Sequence, residues 1–257
     1  MMTLRAPMFS EAKMRHSGRA FRPVLTLVLA AGLAGCATTD NPDPWEPANR
    51  AIFSFNEKAD IYVLEPVAKG YRAVVPDPVR TSVGNVLHNL REPAYAVNSA
   101  FQGEREAFGT SLGRFIINTT MGVGGLFDAA SAFGYQKVET DFGATLQKWG
   151  VESGPYVVLP LWGPNTVRGT VGFVPDGLMN PVFYASGDWP WITQNATEAI
   201  DWRSKNIETV DDLRRGSVDT YATVRSIFLQ RLNAESDSPA DSRGYDAIFQ
   251  EDDDAAP

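Results

Sequence analysis

The 257 residues carry 31 acidic and 23 basic side chains, which gives a formal net charge of −8 at neutral pH. Because nucleic acid is polyanionic, this charge argues against a nucleic-acid partner, and it argues equally against docking on anionic lipid through a basic patch. Since 44% of the residues are hydrophobic and one is a cysteine, we expect a sizeable core and no intramolecular disulfide.

The first 35 residues have the layout of a secretory signal. Five basic residues precede an apolar run from Val24 to Leu33. That run is about half of the roughly 20 residues that a membrane-spanning helix needs, so no transmembrane helix is predicted there. We therefore exclude this segment from the fold.

The only cysteine, Cys36, ends the sequence LAGC at residues 33–36. This sequence resembles the lipobox of bacterial lipoproteins, in which the chain is cut before the cysteine and the cysteine becomes the acylated first residue. The alternative is a buried or free thiol behind an uncleaved leader. Ala37 stands where an aspartate, in enterobacterial lipoproteins, favours retention at the inner membrane. The resemblance therefore implies lipidation at Cys36 and a place in the outer membrane.

Helical periodicity runs through most of the chain and predicts a mostly α domain. Asp43 is expected to cap a first helix that begins at Pro44, with Glu46 reaching back in a capping box. The apolar face of this helix consists of Ile52, Phe55, Ala59 and Tyr62 or Val63.

Further helices are predicted along the chain. One begins at Asp77 and has apolar positions up to Leu90, and the others cover residues 93–101, 104–118, 193–214 and 219–232. Gly103 and Gly216 are expected to interrupt the pattern. The residues expected to face inward from the helix at 104–118 are Phe108, Leu112, Phe115 and Ile116.

Two segments do not fit a plain helical bundle. Residues 121–130 are rich in glycine, and residues 150–164 form an apolar run broken by prolines. The sequence Trp189-Pro190-Trp191 adds a tight tryptophan pair, which is typical of a membrane interface. The alternative is a pair of ordinary core or interface aromatics.

The sequence GTSLG at residues 109–113 matches the G-x-S-x-G elbow of esterases. However, Ser111 lies inside the predicted helix 104–118, and no histidine follows it in the chain. We expect the two flanking glycines to allow close contact between helices instead.

Other possible sites of chemistry are equally weak. His88 has no partner histidine in the mature chain, so no zinc site is predicted. GVGG at residues 122–125 lacks the third glycine of a dinucleotide fingerprint, and Asp211 and Asp212 point in different directions on a helix. We predict no enzyme activity, no metal and no cofactor.

Seven blocks of sequence occur in an order that resembles one family. They are NRAIFSFN at 49–56, EPAYAVN at 92–98, FQG at 101–103, RFIINTTMGVGGLFDAA at 114–130, FGATLQKWG at 142–150, GPYVVLPLWGP at 154–164 and YATVRSIFLQR at 221–231. Together they look like the VacJ-like (MlaA) family of outer-membrane lipoproteins, over roughly residues 43–232.

The resemblance implies a single ring-like helical domain seated in the inner leaflet of the Gram-negative outer membrane. It implies an acyl anchor, contact with trimeric porins, and transfer of phospholipids misplaced in the outer leaflet to a soluble periplasmic carrier. No covalent chemistry is needed for this task. The alternative is a structural or scaffold lipoprotein that binds porins or other envelope partners without moving lipid.

In such a ring a lipid headgroup needs a polar path, because a charged group in hydrocarbon is costly. The candidates for its polar side are Asn49, Arg50, Asn56 and Arg114. The alternative for each is capping and hydrogen bonding within the domain, although arginine is well suited to phosphate. Phe53 and Phe55 lie beside Asn56 on the first helix and would supply a lipid-facing wall.

Gly150 and Gly154 bracket a short segment ahead of the proline-broken run. The freedom of glycine backbone angles predicts a hinge here that adjusts the opening of the lipid path. The alternative is a pair of static turn glycines.

The end of the chain is strongly acidic and is predicted to be a solvated, disordered tail. The predicted organisation is a signal peptide at 1–35, a lipidated linker at 36–42, the helical domain at 43–233 and the acidic tail at 234–257.

Overall fold

A computed structural model describes residues 42–184 and 189–237. The predicted signal peptide, Cys36 and the tail beyond Asp237 lie outside the described residues. Within the described ranges the chain is mostly helical, as predicted, with a single two-stranded sheet. All of the described residues belong to one compact unit.

The elements before the sheet are α1 (Glu46–Ala59), a π-helical turn (Asp60–Leu64), α2 (Glu65–Val74), α3 (Asp77–Gln102), α4 (Arg105–Thr120), α5 (Ala129–Ala132) and α6 (Phe142–Lys148). The sheet and later elements are β1 (Tyr156–Leu159), β2 (Gly163–Thr166), α7 (Val167–Met179), a 3₁₀ turn (Pro181–Tyr184), α8 (Trp189–Lys205), α9 (Ile207–Gly216) and α10 (Thr220–Asp237). Helix α3 packs along α4, α6 packs on α7, and α2 packs on α8.

The start of α1 differs from the prediction. The helix begins at Glu46, and its N-cap residue Trp45 makes no side-chain cap. Asp43 is buried and accepts hydrogen bonds from Tyr221 and Arg225 of the last helix. The predicted capping box is wrong because these tertiary contacts take the carboxylate away from the helix end.

The π-helical turn separates α1 from α2. Pro66 has no amide hydrogen, so it cannot donate to the carbonyl four residues back, and an α-helix would be broken there. The chain widens instead, and the Glu65 amide donates to the carbonyl of Asp60, five residues earlier. The turn therefore carries the helical path past a proline.

Helix α3 is continuous where two helices are predicted. It runs from Asp77 to Gln102 with Pro93 inside it. Packing along α4 stabilises the helix across the proline, so the predicted break is wrong. Gly103 ends the helix with a left-handed φ of 76°, as predicted.

The predicted helix at 193–214 is two helices, α8 and α9, which meet at Asn206. The Asn206 side chain donates to the Trp202 carbonyl at 2.9 Å and so competes with the helical ladder. The last helix forms as predicted, with Tyr221 buried and Phe228 packed against Tyr156 of β1.

The faces of α4 are opposite to the prediction. Its buried residues are Ser111, Arg114 and Asn118. Three of the four apolar residues that are expected to face inward lie outside: Phe108 is 38%, Leu112 41% and Ile116 52% exposed. The prediction assumes that apolar side chains avoid the surface, which holds for a domain in water.

The same inversion extends over the whole described part of the chain. It holds 19 buried polar or charged residues against 10 buried hydrophobic ones. The fully buried side chains include Arg114, Arg203 and Glu92, while Phe55, Tyr62 and Val63 of the predicted apolar face are exposed. A surface so rich in large apolar side chains marks contact with lipid or protein. Among the described residues no helix is long and apolar enough to cross a membrane.

The proline-broken run at 150–164 leads into an antiparallel hairpin. Tyr156 pairs with Thr166 and Leu159 with Gly163. Tyr156 and Val158 point into a small aromatic core that includes Tyr221 and Phe228. The strands are not predicted from the sequence, because each has only four residues and prolines at 155, 160 and 164 interrupt the strand pattern.

Candidate functional site

Asn49 of α1 holds the base of the hairpin. Its side chain donates to the Tyr156 carbonyl at 3.1 Å and accepts from the Val158 amide at 2.9 Å. It also donates to Asp43 at 2.8 Å and is only 2% exposed. The amide thus pairs with β1 much as a neighbouring strand would, and its hydrogen-bonding groups are used inside the domain.

Asn56, two helical turns further along α1, repeats this arrangement nearer the tip. Its side chain donates to the Leu159 carbonyl at 2.9 Å and accepts from the Leu161 amide at 2.8 Å. Together the two side chains satisfy polar groups along the free edge of β1, which would otherwise be open to pairing with another chain. We call Asn49 and Asn56 the asparagine clamp.

The hairpin tip beyond β1 is exposed and strained. Leu161 has a left-handed φ of 67°, which is costly for a residue with a Cβ, and is 70% exposed. Trp162 stacks on Trp191 of α8, with ring centroids 6.3 Å apart and planes at 26°. One member of the predicted tryptophan pair therefore contacts the hairpin, while the Trp189 side chain lies outside the described residues.

The start of α1 is fixed to the last helix through Asp43. Tyr221 donates to this carboxylate, and Arg225 donates to it at 2.8 Å and to Glu46 at 2.8 Å. Burial raises the pKa of Tyr221, and the hydrogen bond to Asp43 raises it further, so the phenol keeps its proton. These hydrogen bonds of Asp43 and Glu46 join the start of the first helix to the last helix.

The other candidates on α1 face two ways. Arg50 makes a bidentate pair with Asp219, at 3.1 and 2.7 Å, and its guanidinium lies 4.4 Å from the Tyr221 ring centroid. Phe53 packs edge-on against the same ring at 5.5 Å. Phe55 is 54% exposed on the outside. The helix thus has a polar, packed side and an apolar outer side, and lipid contact stays a prediction.

Arg114 is the most deeply buried of the predicted lipid-path residues. It donates to Glu92 at 2.6 Å, to the Tyr135 carbonyl at 2.7 Å and to both oxygens of Asp128. Burial alone would raise the pKa of Asp128, but hydrogen bonds from Ser131 and Arg114 hold it at about 2. The guanidinium is surrounded by acceptors of the domain, and a role in a lipid path stays a prediction.

Arg203 forms the centre of a second buried ion network, which the sequence does not reveal. It donates to Asp60 at 3.0 Å and to Glu65 at 3.0 Å, and its side chain is 1% exposed. Arg214 of α9 pairs with the same two carboxylates at 2.6 and 3.1 Å. Asp60 and Glu65 stand at the two ends of the π-helical turn, and the network ties that turn to α8 and α9.

Asp176 of α7 accepts from the Phe142 amide at the start of α6 and from the Asn98 side chain of α3. The distances are 3.0 Å from the amide to each carboxylate oxygen and 2.8 Å from Asn98. Burial raises the pKa of Asp176 to about 6, and the negative charge of Asp141 adds to the effect, while Arg91 opposes it. Asp176 therefore titrates near neutral pH between three helices.

The predicted hinge glycines both have left-handed backbones. Gly150, with φ 87°, ends α6 in a Schellman motif. Its amide donates to the Gln147 carbonyl, and the next amide donates to the Leu146 carbonyl. Gly154 has φ 67°, and a Cβ there would lie 3.2 Å from the Cβ of Val167. These positions require glycine whether or not the segment moves, so the hinge stays a prediction.

Ser111 lies within helix α4, as predicted, and its side chain is fully buried. The flanking glycines do not bring two helices together. A Cβ on Gly113 would lie 2.8 Å from the ring of Tyr135, and nothing lies within 4 Å of one on Gly109. The predicted helix–helix contact is wrong, because a loop residue covers this face of α4.

His88 lies at the edge of the core, with 13% of its side chain exposed. Its Nε2 lies 3.1 Å from Glu92, and its Nδ1 lies 3.5 Å from Glu139. Within residues 42–184 and 189–237, no group of three or more His, Cys, Asp or Glu side chains is arranged to hold a metal ion.

Known proteins similar to this chain identify its family. Residues 41–235 match the model of the MlaA lipoprotein family. The chain is 34% identical over 223 residues to the Haemophilus influenzae protein named intermembrane phospholipid transport system lipoprotein MlaA, covering 82% of this chain and 89% of the relative. The chain belongs to the MlaA lipoprotein family.

A second relative and a solved structure support the assignment of this chain to the MlaA family. The Escherichia coli K12 protein of the same name is 35% identical over 211 residues, which cover 80% of this chain and 83% of that one. A solved structure described as "Structural basis for maintenance of bacterial outer membrane lipid asymmetry" matches with a TM-score of 0.68 at 35% identity. It covers 76% of this chain and 98% of its own. The resemblance and the mostly α fold predicted from the sequence are confirmed.

The family match includes both members of the asparagine clamp and both buried ion networks. It begins at residue 41, so it does not reach Cys36. The seven-residue spacing of Asn49 and Asn56 is visible in the sequence and places them on one face of a helix. What the spacing does not give is their partner, because the hairpin lies more than 100 residues away.

Proposed function

We propose that this MlaA-family protein removes phospholipids misplaced in the outer leaflet of the outer membrane and passes them to a soluble periplasmic lipid carrier. It thereby maintains the lipid asymmetry of that membrane. Relatives named as intermembrane phospholipid transport lipoproteins support the proposal, as does a solved relative described in terms of outer-membrane lipid asymmetry.

The observation that carries the proposal is the inverted distribution of polar and apolar side chains. Among the residues that the structure describes, buried polar ones outnumber buried hydrophobic ones, while Phe55, Tyr62 and Leu161 are each more than half exposed. In water such a surface would drive association, whereas in a bilayer the lipid tails solvate it. The distribution supports a ring-like domain seated in the periplasmic leaflet.

Cys36 is the proposed site of acylation, and Ala37 after it favours the outer membrane as the place where the domain works. Six residues separate Cys36 from Asp43, whose carboxylate is held by the last helix. Fully extended, that linker spans about 3.3–3.6 Å per residue, so the domain stays close to its anchor. Trimeric porins are the proposed protein partners in the membrane, and the soluble carrier is the partner on the periplasmic side.

Transport of this kind needs a polar route for the headgroup and no covalent step. Of the four predicted polar residues, Arg50 is the best placed to meet a phosphate, because its side chain is 40% exposed. Asn49 and Arg114 are almost completely buried. A lipid phosphate would compete with Asp219 for the Arg50 guanidinium, whose fork of donors matches either anion.

The alternative function is that of a scaffold lipoprotein that binds porins without moving lipid. Mild detergent extraction of the full-length lipoprotein, followed by analysis of bound phospholipid, distinguishes the two. Transport predicts phospholipid in excess over that on an unrelated lipoprotein extracted in the same way. Porin retained without such an excess of lipid would favour the scaffold.

A further inference from the structure

Helix α3 carries a stripe of polar side chains on one face. Tyr95, Asn98 and Gln102 follow one another at three- and four-residue spacing, and all three are buried. Asn98 and Gln102 hydrogen-bond to side chains of neighbouring elements. Arg91, one turn before Tyr95, continues the stripe, but its side chain is 47% exposed. The stripe therefore ends in an arginine that a ligand can reach.

Arg91 makes a bidentate ion pair with Glu198 of α8. Its Nε lies 3.0 Å from one carboxylate oxygen, and a terminal nitrogen donates to the other. Glu198 is also held by the buried Gln194 side chain, which donates to it at 2.9 Å and accepts from Asn180 at 3.1 Å. The Glu198 side chain is only 16% exposed. The carboxylate is thus fixed by its own helix, whereas the arginine side chain is about half exposed.

The charges around this pair favour a ligand that carries both signs of charge. The charge of Arg91 also reaches Asp176 of α7, where it opposes the effects of burial and of Asp141 on the pKa of that carboxyl. Arg91 is therefore paired with one carboxylate and close enough to act on a second. A ligand with only negative charge would meet these carboxylates, whereas a ligand that brings its own cation would be attracted to them.

We propose that Arg91 and Glu198 form a headgroup site for a zwitterionic phospholipid, in which the guanidinium binds the phosphate and the carboxylate binds the ammonium group. The planar fork of arginine matches two phosphate oxygens, and a carboxylate accepts hydrogen bonds from an ammonium. Each member of the ion pair exchanges its partner for a ligand group of the same charge, so no charge is left unpaired. This inference rests on the proposed function and deepens it, because it names phosphoethanolamine rather than phosphoglycerol as the preferred headgroup.

Native mass spectrometry of the full-length lipoprotein in detergent tests the site. The probe is an equal mixture of phosphatidylethanolamine and phosphatidylglycerol with the same acyl chains. We expect the wild type to bind the ethanolamine lipid about 5-fold more than the glycerol lipid, because only the former gives Glu198 a charged donor. Glu198→Gln keeps an oxygen to accept from Arg91 and loses the charge, so the ratio should fall to about 1.

Two further variants separate the site from general effects on the fold. Arg91→Gln should reduce binding of both lipids about 5-fold, because both lose the phosphate contact. Glu208→Gln is the matched control, since Glu208 makes a bidentate pair with Arg72 that also joins two helices. It should leave the amount and the ratio of bound lipid unchanged. An unchanged ratio in Glu198→Gln, with all variants folded by circular dichroism, would overturn the proposal.

Competition with inorganic phosphate distinguishes a lipid headgroup from a bare anion. Excess phosphate should not displace the ethanolamine lipid from the wild type, because phosphate offers nothing to Glu198. Displacement would overturn the proposal in favour of a simple anion site. Equal binding of the two lipids by the wild type would overturn the site and leave the proposed transport standing, whereas the absence of any bound phospholipid would contradict both.

Discussion

At the scale of single residues, Asp176 shows how this fold accepts an electrostatic cost. Its carboxylate organises the junction of three helices, yet burial and Asp141 raise its pKa from 3.8 to about 6. Because the folded state binds the proton more tightly than the unfolded state, the stabilising contribution is complete below pH 4. It is lost as the pH rises from about 4 to about 6.

Asp176→Asn removes this cost and keeps an oxygen to accept from Phe142 and Asn98. We expect the variant to be more stable than the wild type at pH 7.5, by up to about 3 kcal/mol. At pH 4 the difference should largely vanish. Unfolding in one detergent, followed by circular dichroism at both pH values, measures the effect. Lower stability of the variant at pH 7.5 would contradict this explanation.

Phe55 provides a second test at this scale. Its exposed ring is expected to contact lipid, so Phe55→Glu should place a charge in hydrocarbon and disturb membrane seating. Lys58→Glu, on the same helix, is the matched control and changes the charge by more. We expect cells with Phe55→Glu to be more sensitive to detergent with a chelator than cells with Lys58→Glu. Equal sensitivity at equal protein levels would count against lipid contact at Phe55.

At the scale of elements, the positions of most helices could be predicted and their faces could not. Helix α4 is recognised by its period, but its buried side is the one with Ser111, Arg114 and Asn118. Periodicity gives the two faces of a helix, and the choice between them depends on the solvent outside. The sequence likewise shows that Asn49 and Asn56 lie on one face of a helix. It does not show which element they bind, because the hairpin lies more than 100 residues further along the chain.

The π-helical turn gives a prediction for an element. Arg203→Met leaves Asp60 and Glu65 with one arginine instead of two, in a place where Arg203 is 1% exposed. We expect a loss of about 3 kcal/mol, because two largely buried carboxylates then share one arginine and part of their charge is left uncompensated. Thermal unfolding in detergent measures it.

The control for Arg203→Met is Arg215→Met, which breaks the exposed pair with Asp212 and should leave the unfolding temperature unchanged. Equal unfolding temperatures for the two variants would show that the network around the π-helical turn does not stabilise the fold.

At the scale of the whole molecule, the described residues distribute polar and apolar side chains in the opposite way to a domain in water. Ion networks centred on Arg114 and Arg203 occupy the interior, and the outside carries large apolar side chains. The sequence reveals the family through seven ordered blocks, but average composition does not reveal the inversion, because 44% hydrophobic residues fit an ordinary globular domain. The inversion becomes visible only when burial is assigned to each residue.

The anchor gives a prediction at this scale. Cys36→Ala should yield an uncut or soluble form that no longer fractionates with the outer membrane, because acyl chains contribute about 0.8 kcal/mol per buried methylene. Density-gradient fractionation with immunodetection measures this, and Cys36→Ser is a second variant that removes the thiol. Normal fractionation and function of both variants would show that Cys36 is not the anchor.

Clearance of phospholipid from the outer leaflet of the outer membrane, the proposed function of this protein, can be measured in cells. The most direct measurement is the phospholipid content of that leaflet in a strain that lacks the protein, compared with the same strain expressing the wild-type chain. The outer leaflet should accumulate phospholipid without the protein and return to its normal content with it. An unchanged content in the deletion strain, when the parent strain makes the protein at its normal level, would contradict the claim.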